Sequence, residues 1–193
     1  MIRKRELRGG ALIYEARLAE HLNISRTPLR EALQRLEGEG LIVKASGQSY
    51  SVRHVDLGEY LQSLNVRELL EGEAAMLAAG RIPDRELASV RAEIDLLETT
   101  SWYDIESHWV SDNRFHQLFS KHCGNEVLAR LIRELRVTTQ MFEIARLAER
   151  SKPDLSEHLA ILDALAAGDG SAARAAVQIH MRSLWRFAVD SAS

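Results

Sequence analysis

The stretch DNRFHQLFSKHCG, residues 112–124, places an acid and an imidazole four residues apart. Asp112 and His116 share one helical stripe with Phe115 and Phe119. Ionisable groups on a buried stripe are costly unless they are paired or hold a metal. Two later segments repeat the pattern. Leu155, His158, Leu162 and Leu165 form one stripe, flanked by Leu159, and Val177, His180, Met181 and Leu184 form another. Each histidine then falls on the apolar side of its helix. Three helices thus direct Asp112, His116, His158 and His180 toward one interior. Imidazole nitrogens with a carboxylate suit zinc, nickel, manganese or iron. The alternative is a closed polar network in which Asp112 pairs with a histidine or an arginine and each imidazole is hydrogen-bonded in the core.

The elements that must position these groups are mostly helical. From Asp56 onward there is no strand signal. Gly80 with Pro83, the Ser101 region, Gly124, Ser151 with Pro153, and Gly168 to Gly170 divide the chain into about six helices of ordinary length. SKPD offers Ser151 or Lys152 as a cap and Pro153 as a first-turn residue. The expected body, residues 55–193, is an all-α antiparallel helical bundle.

Residues 1–54 read differently. Leu18, Ala19 and Leu22 mark a short amphipathic helix, and Asn23 suits a left-handed exit. Ser25 is placed to cap a second helix, SRTPLREALQRLEGEG, with Pro28 in its first turn and Gly38 and Gly40 at its end. LIVKASGQSYSV follows as two short β-prone runs around Ser46-Gly47, a hairpin. Helix, three-residue turn, helix and hairpin make the layout of a winged helix-turn-helix. Leu29, Ala32, Leu33 and Leu36 form the inward stripe of the second helix. The opposite face carries Arg26, Thr27, Arg30 and Gln34. Arg26 and Arg30 lie one turn apart near its N-terminus, where a recognition helix meets base edges, and a guanidinium matches guanine or clamps a phosphate. Ser25, Thr27 and the first-turn amides suit phosphate. Glu31 and Arg35 are spaced for an i,i+4 pair.

Bulk properties agree with this division. The chain has 193 residues, 46% hydrophobic and 27% charged, an ordinary globular balance. Residues 1–53 hold ten Lys/Arg and six Asp/Glu, giving +4, and the rest holds 15 and 22, giving −7. A basic head on an acidic body assigns a polyanion to the head. Cys123 is the only cysteine, which excludes an internal disulfide and a cysteine-based zinc module and fits a cytoplasmic protein. No apolar run approaches the roughly 18 residues of a membrane span, and MIRKRELRGG lacks the apolar stretch of a secretory signal.

ARLAEHLNISRTPLREALQRLEGEGLIV closely resembles the DNA-binding domain of GntR-family bacterial transcription regulators, with SRTPLREAL as its most specific part. The resemblance implies that Arg26 and Arg30 contact double-stranded operator DNA and that the hairpin, with Gly47 at its tip, reaches the minor groove. The chain departs from the family where Ala16 follows Glu15 and Arg17 comes one place later. Only eight residues precede Gly9, so the family's first helix is expected to be truncated. DNRFHQLFSKHCGNEVLARLIREL, EHLAILDALAAGD and AARAAVQIHM resemble the FCD ligand-binding domain of the FadR subfamily. In metal-binding members an Asp and a His four apart join one His from each of two later helices. That pattern falls on Asp112, His116, His158 and His180, and implies one divalent transition metal per chain, zinc first among the candidates. It also implies a small carboxylate effector rather than acyl-CoA, and it places Arg67 at the effector cavity. The competing reading of Arg67 is a helix-surface pair with Glu71. His108 is placed either behind the ligands or, with His122, at the boundary.

The expectation is therefore a cytoplasmic, homodimeric transcription regulator, a repressor released by effector, with no membrane partner and no catalytic residues. Two rivals stand beside it: a metal-dependent enzyme built on the Asp/His centre, and a regulator whose metal is purely structural.

Overall fold

A computed structural model describes residue 2 and residues 6–47, 49–100, 104–142 and 147–192. Eight helices and a three-stranded sheet are present among them. The head begins with a strand that the sequence pattern is too short to announce: β1, Leu12–Tyr14. Helices α1, Glu15–Leu22, and α2, Arg26–Gly38, follow, then strands β2, Ile42–Lys44, and β3, Ser49–Val52. Both β1 and β2 pair antiparallel with β3, in the order β1-β3-β2. The expected hairpin is thus two thirds of a sheet. Ile13 alone of β1 faces inward.

Local chemistry explains most head boundaries. Asn23 takes the left-handed exit at φ 53°. Gly47 sits at φ +70° in the hairpin turn, a conformation that side chains with a Cβ rarely adopt. Ser25 occupies the N-cap position of α2 without a side-chain capping bond, contrary to expectation. Ala32 is exposed, so the buried stripe of α2 is Leu29 and Leu33 with Leu36 at its edge. The helix turns its Leu pair onto the sheet, which leaves the small Ala32 outside. Arg35 pairs with Glu39 at 3.0 Å rather than with Glu31, because the pair forms toward the C-terminal side of the same face.

Six helices make the body: α3, Leu57–Ala78; α4, Asp84–Thr99; α5, Ile105–His122; α6, Glu126–Met141; α7, Leu147–Ala166; and α8, Gly170–Ala192. Side chains of Asp56, Asp104 and Asn125 cap α3, α5 and α6 by accepting the amides of Glu59, Ser107 and Leu128. The break expected at Ser101 involves residues 101–103, outside the described set. The break expected at Ser151 with Pro153 is absent, since α7 starts at Leu147 and runs through both residues. Arg150 explains the extension: it bonds Glu157 two turns on and Ser183 of α8, which holds the turns before Pro153 in the helix. Tertiary anchoring outweighs the local start signal there.

Helices α3 and α8 pack most closely. A Cβ at Gly170 would lie 2.7 Å from the Met76 carbonyl oxygen, so the approach requires glycine. Head and body share one apolar cluster that runs from Ile13, Leu33 and Val52 through Val55, Tyr60 and Leu64 to Phe115, Leu162 and Val177. Arg53, just after β3, bonds Thr138 of α6 at 3.2 Å and pairs with Glu59 of α3.

Candidate metal centre and DNA-facing surface

The stripes read from the sequence converge. Phe115, Phe119, His116, His158 and His180 are all buried, on α5, α7 and α8. One ring nitrogen from each histidine lies within 4.8 Å of the other two. The imidazole centroids of His116 and His158 are 5.2 Å apart, those of His158 and His180 4.7 Å, and those of His116 and His180 5.4 Å. Nε2 of all three is buried with no hydrogen-bond partner among the described residues. Three orphaned nitrogens aimed at one point are costly in a dry core and fit a divalent cation.

The opposite ring nitrogens are tied down. His116 Nδ1 lies 2.5 Å from Glu71 of α3, and His180 Nδ1 lies 2.8 Å from Glu157 of α7. A carboxylate on Nδ1 leaves Nε2 as the unprotonated, ligating nitrogen. Burial would raise the Glu71 carboxyl, but the Arg67 guanidinium and His116 together hold it far below the usual carboxylate range. Burial would raise Glu157 too, and its bond to His180 lowers it. Desolvation, with His180 and His116 beside it, pushes His158 well below the ordinary imidazole range, so its ring is neutral at neutral pH.

Asp112 is buried on the same helix face as His116, with Oδ1 3.4 Å from His116 Nε2 and 3.9 Å from His158 Nε2. Its other oxygen accepts a hydrogen bond from Arg136 of α6 at 2.5 Å. Burial alone would raise Asp112; Arg136 and His116 reverse the sign and keep it ionised. Arg136 also donates to Asn113 at 2.9 Å. Asp112 is therefore both an arginine partner and a neighbour of two imidazoles.

Arg67 belongs to this interior. It is 1% exposed and donates to Glu71 at 2.5 Å and to Thr139 at 2.7 Å. The i,i+4 pair with Glu71 exists, but in the core instead of on the helix surface, because α5 and α6 cover that face of α3: His116 meets Glu71 and Thr139 meets Arg67. His108 is also buried, against Asp154 at 3.5 Å, which places it inside the body and not at its boundary. His122 is half-buried and 3.2 Å from Glu86.

Several groups escaped the sequence reading. Glu71, Glu157, Arg136, Arg150, Asp154 and Tyr60 all reach this interior. Only Glu71, as the spaced partner of Arg67, and Glu157, adjacent to His158, carried any local signal. The others depend on which helices touch.

On the head, Ser25, Arg26, Thr27, Arg30 and Gln34 are all exposed on one side of α2. Arg30 donates Nε and Nη2 to Glu15 at 3.3 and 3.1 Å, so its fork is held against α1. Arg26, Ser46 and Ser49 line a cleft with Tyr14, Glu15 and Ala16. Recognition-helix N-terminus and hairpin turn thus share one surface.

Comparison with known proteins agrees with this architecture. Residues 62–183 match the FCD domain, and residues 1–52 match the family of bacterial regulatory proteins named gntR. The Nta operon transcriptional regulator of Aminobacter aminovorans is 32% identical over 163 residues, covering 82% of this chain and 75% of that protein. The HTH-type transcriptional regulator LutR of Bacillus subtilis is 28% identical over 210 residues, 95% of this chain and 94% of that one. Among solved structures, E. coli McbR/YncC superposes with a TM-score of 0.83 at 23% identity, over 100% of this chain and 93% of that chain, and shares the fold. The chain belongs to the GntR family of transcription regulators, with an FCD domain behind the winged helix-turn-helix. Its relatives are DNA-binding regulators rather than enzymes, and no helix among the described residues is long and apolar enough to cross a membrane.

Proposed function

We propose that this regulator reads a small carboxylate metabolite at a divalent metal, zinc first among the candidates, held by Asp112, His116, His158 and His180. The observation that carries the reading is the trio of buried, unpartnered Nε2 atoms. A metal bound there supplies a Lewis-acidic position for carboxylate oxygens. The chain's own groups do the rest. Glu71 and Glu157 fix two imidazole orientations, Arg136 keeps Asp112 ionised, and Arg67, with Nη2 unbonded, faces an incoming anion.

The functional division falls at residues 54 and 55. The DNA surface comprises Ser25, Arg26, Thr27, Arg30, Gln34 and Gly47, with Arg30 oriented by Glu15. Half-sites about one turn apart require two heads, so the working form is a homodimer, acting as a cytoplasmic repressor. Coupling between the sites runs through α6. Arg136 holds Asp112, Thr139 holds Arg67, and Thr138 between them bonds Arg53 of the head. An effector that favours one placement of this turn shifts the population of head arrangements.

Elemental mass spectrometry on untagged protein, wild type beside His158→Ala, tests the reading. Near one metal per chain in wild type and little in the variant is expected. No metal in either would make the three imidazoles a closed polar network and remove the anchor for an effector.

A further inference from the structure

The start of α1 is built against the usual preferences for a helix end. Its N-cap residue is Tyr14, which makes no side-chain capping bond, where Ser, Thr, Asp or Asn would satisfy a first-turn amide. Arg17, in the first turn, sets a cation against the positive end of the helix dipole. Tyr14 is also 45% exposed, since Ile13 is the residue of β1 that enters the core. Neither choice serves the helix, and residues that break local rules without a structural return are expected at functional sites.

These two side chains meet. The Arg17 guanidinium carbon lies 5.3 Å from the centroid of the Tyr14 ring, within the range of a cation–π contact. Arg17 is exposed and makes no ion pair among the described residues, although Glu20 stands three residues on. Glu15 is taken by Arg30. The ring thus holds a long side chain in place and leaves its charge uncompensated.

The position is informative. Tyr14 pairs across the sheet with Ser49, whose hydroxyl donates to the Ser46 carbonyl at 2.6 Å and braces the hairpin turn. Tyr14, Arg26 and Ser46 line one cleft. The Tyr14–Arg17 pair therefore stands beside both the recognition-helix N-terminus and the hairpin turn. It is carried by the first helix of the motif, the one that crosses the phosphate backbone and stays out of the groove.

We infer that Tyr14 and Arg17 clamp a backbone phosphate of the operator, Arg17 neutralising it while stacked on Tyr14, whose hydroxyl donates a hydrogen bond beside it. This rests on the DNA surface proposed above and adds two residues to it. A phosphate contact positions the protein and carries no sequence information, so the pair contributes affinity and leaves the choice of sequence to α2.

The test is fluorescence anisotropy of the full-length protein on two labelled duplexes, the protein's own promoter and an unrelated sequence of equal length, over a series of salt concentrations. Arg17→Ala is expected to weaken both duplexes by the same factor, about 5- to 10-fold per chain near 0.1 M salt, and to make the slope of log affinity against log salt shallower by about 1 per chain. Arg17→Lys, which keeps the charge, should keep the slope. Tyr14→Leu, which removes the ring and leaves the charge, should weaken both duplexes by a smaller factor with the slope held. The thermal midpoint of Arg17→Ala should not fall, because a cation leaves the positive end of α1. Unchanged affinity and slope in Arg17→Ala, a loss confined to the promoter duplex, or a loss that tracks a lower midpoint would each overturn the inference. Arg26→Ala in the same assay separates the two levels. If it has no effect, the DNA surface itself fails; if it weakens promoter binding while Arg17→Ala does nothing, this inference alone fails.

Discussion

The head and the body handle their charged groups in opposite ways. On α2 the groups aimed outward are exposed; Arg30 leans on Glu15, and Arg26 makes no ion pair among the described residues. Around the histidine cluster of the body the charged groups are buried and reciprocally bonded: Arg67 with Glu71, Glu71 with His116, Arg136 with Asp112, Glu157 with His180. A surface that must meet a phosphate backbone gains by leaving cations solvated until binding, when counterions are released. Charges gathered inside an apolar bundle have to be compensated by one another. The head can therefore lose function without losing stability, and the body cannot.

The sharpest break of that contrast is Glu71→Ala. It strands Arg67 and His116 in the core, and a loss of about 3–5 kcal/mol is expected in denaturant unfolding. A loss below about 1 kcal/mol would show that water reaches this pair. Next comes Gly170→Ala, where the added Cβ meets the Met76 carbonyl at 2.7 Å. Separating α3 from α8 should cost about 1–3 kcal/mol, visible as a lower thermal midpoint. An unchanged midpoint would mean that the helices part freely.

On the head the same kind of change moves a different observable. Arg26→Ala should weaken binding to DNA from the protein's own promoter by about 10- to 100-fold, with the unfolding midpoint held. Equal affinity would remove Arg26 from the DNA surface. The smallest effect is expected for Arg35→Ala. Its pair with Glu39 is solvent-exposed, so stability should move by no more than about 0.5 kcal/mol in the same unfolding assay. A larger change would show that the head also relies on its ion pairs.

Much of the site was legible because apolar periodicity and chemistry coincide. His158 sits between Leu155 and Leu162, and His180 between Val177 and Leu184, and burial followed from that spacing. Glu71, Arg136 and Arg150 were not legible as site residues. Each lies on a helix whose polar face reads as solvent-directed until a neighbouring helix covers it. β1 escaped because three residues of alternating burial fall within the noise of any short segment. The start of α7 was misplaced because Ser151 and Pro153 carry a strong local signal that Arg150 overrides through α8.

By itself the sequence determined the kind of protein this is: a basic helix-turn-helix head, an acidic helical body, and an Asp and three His on apolar stripes. These follow from periodicity, turn residues and charge, which act over a few neighbours along the chain. Only the tertiary structure decided what those side chains meet. It set Arg136 against Asp112, Glu71 and Glu157 behind two imidazoles, Arg53 against Thr138, and left Nε2 of His116, His158 and His180 without a hydrogen-bond partner among the described residues. Those contacts join residues dozens of positions apart, and they depend on which helix faces pack together.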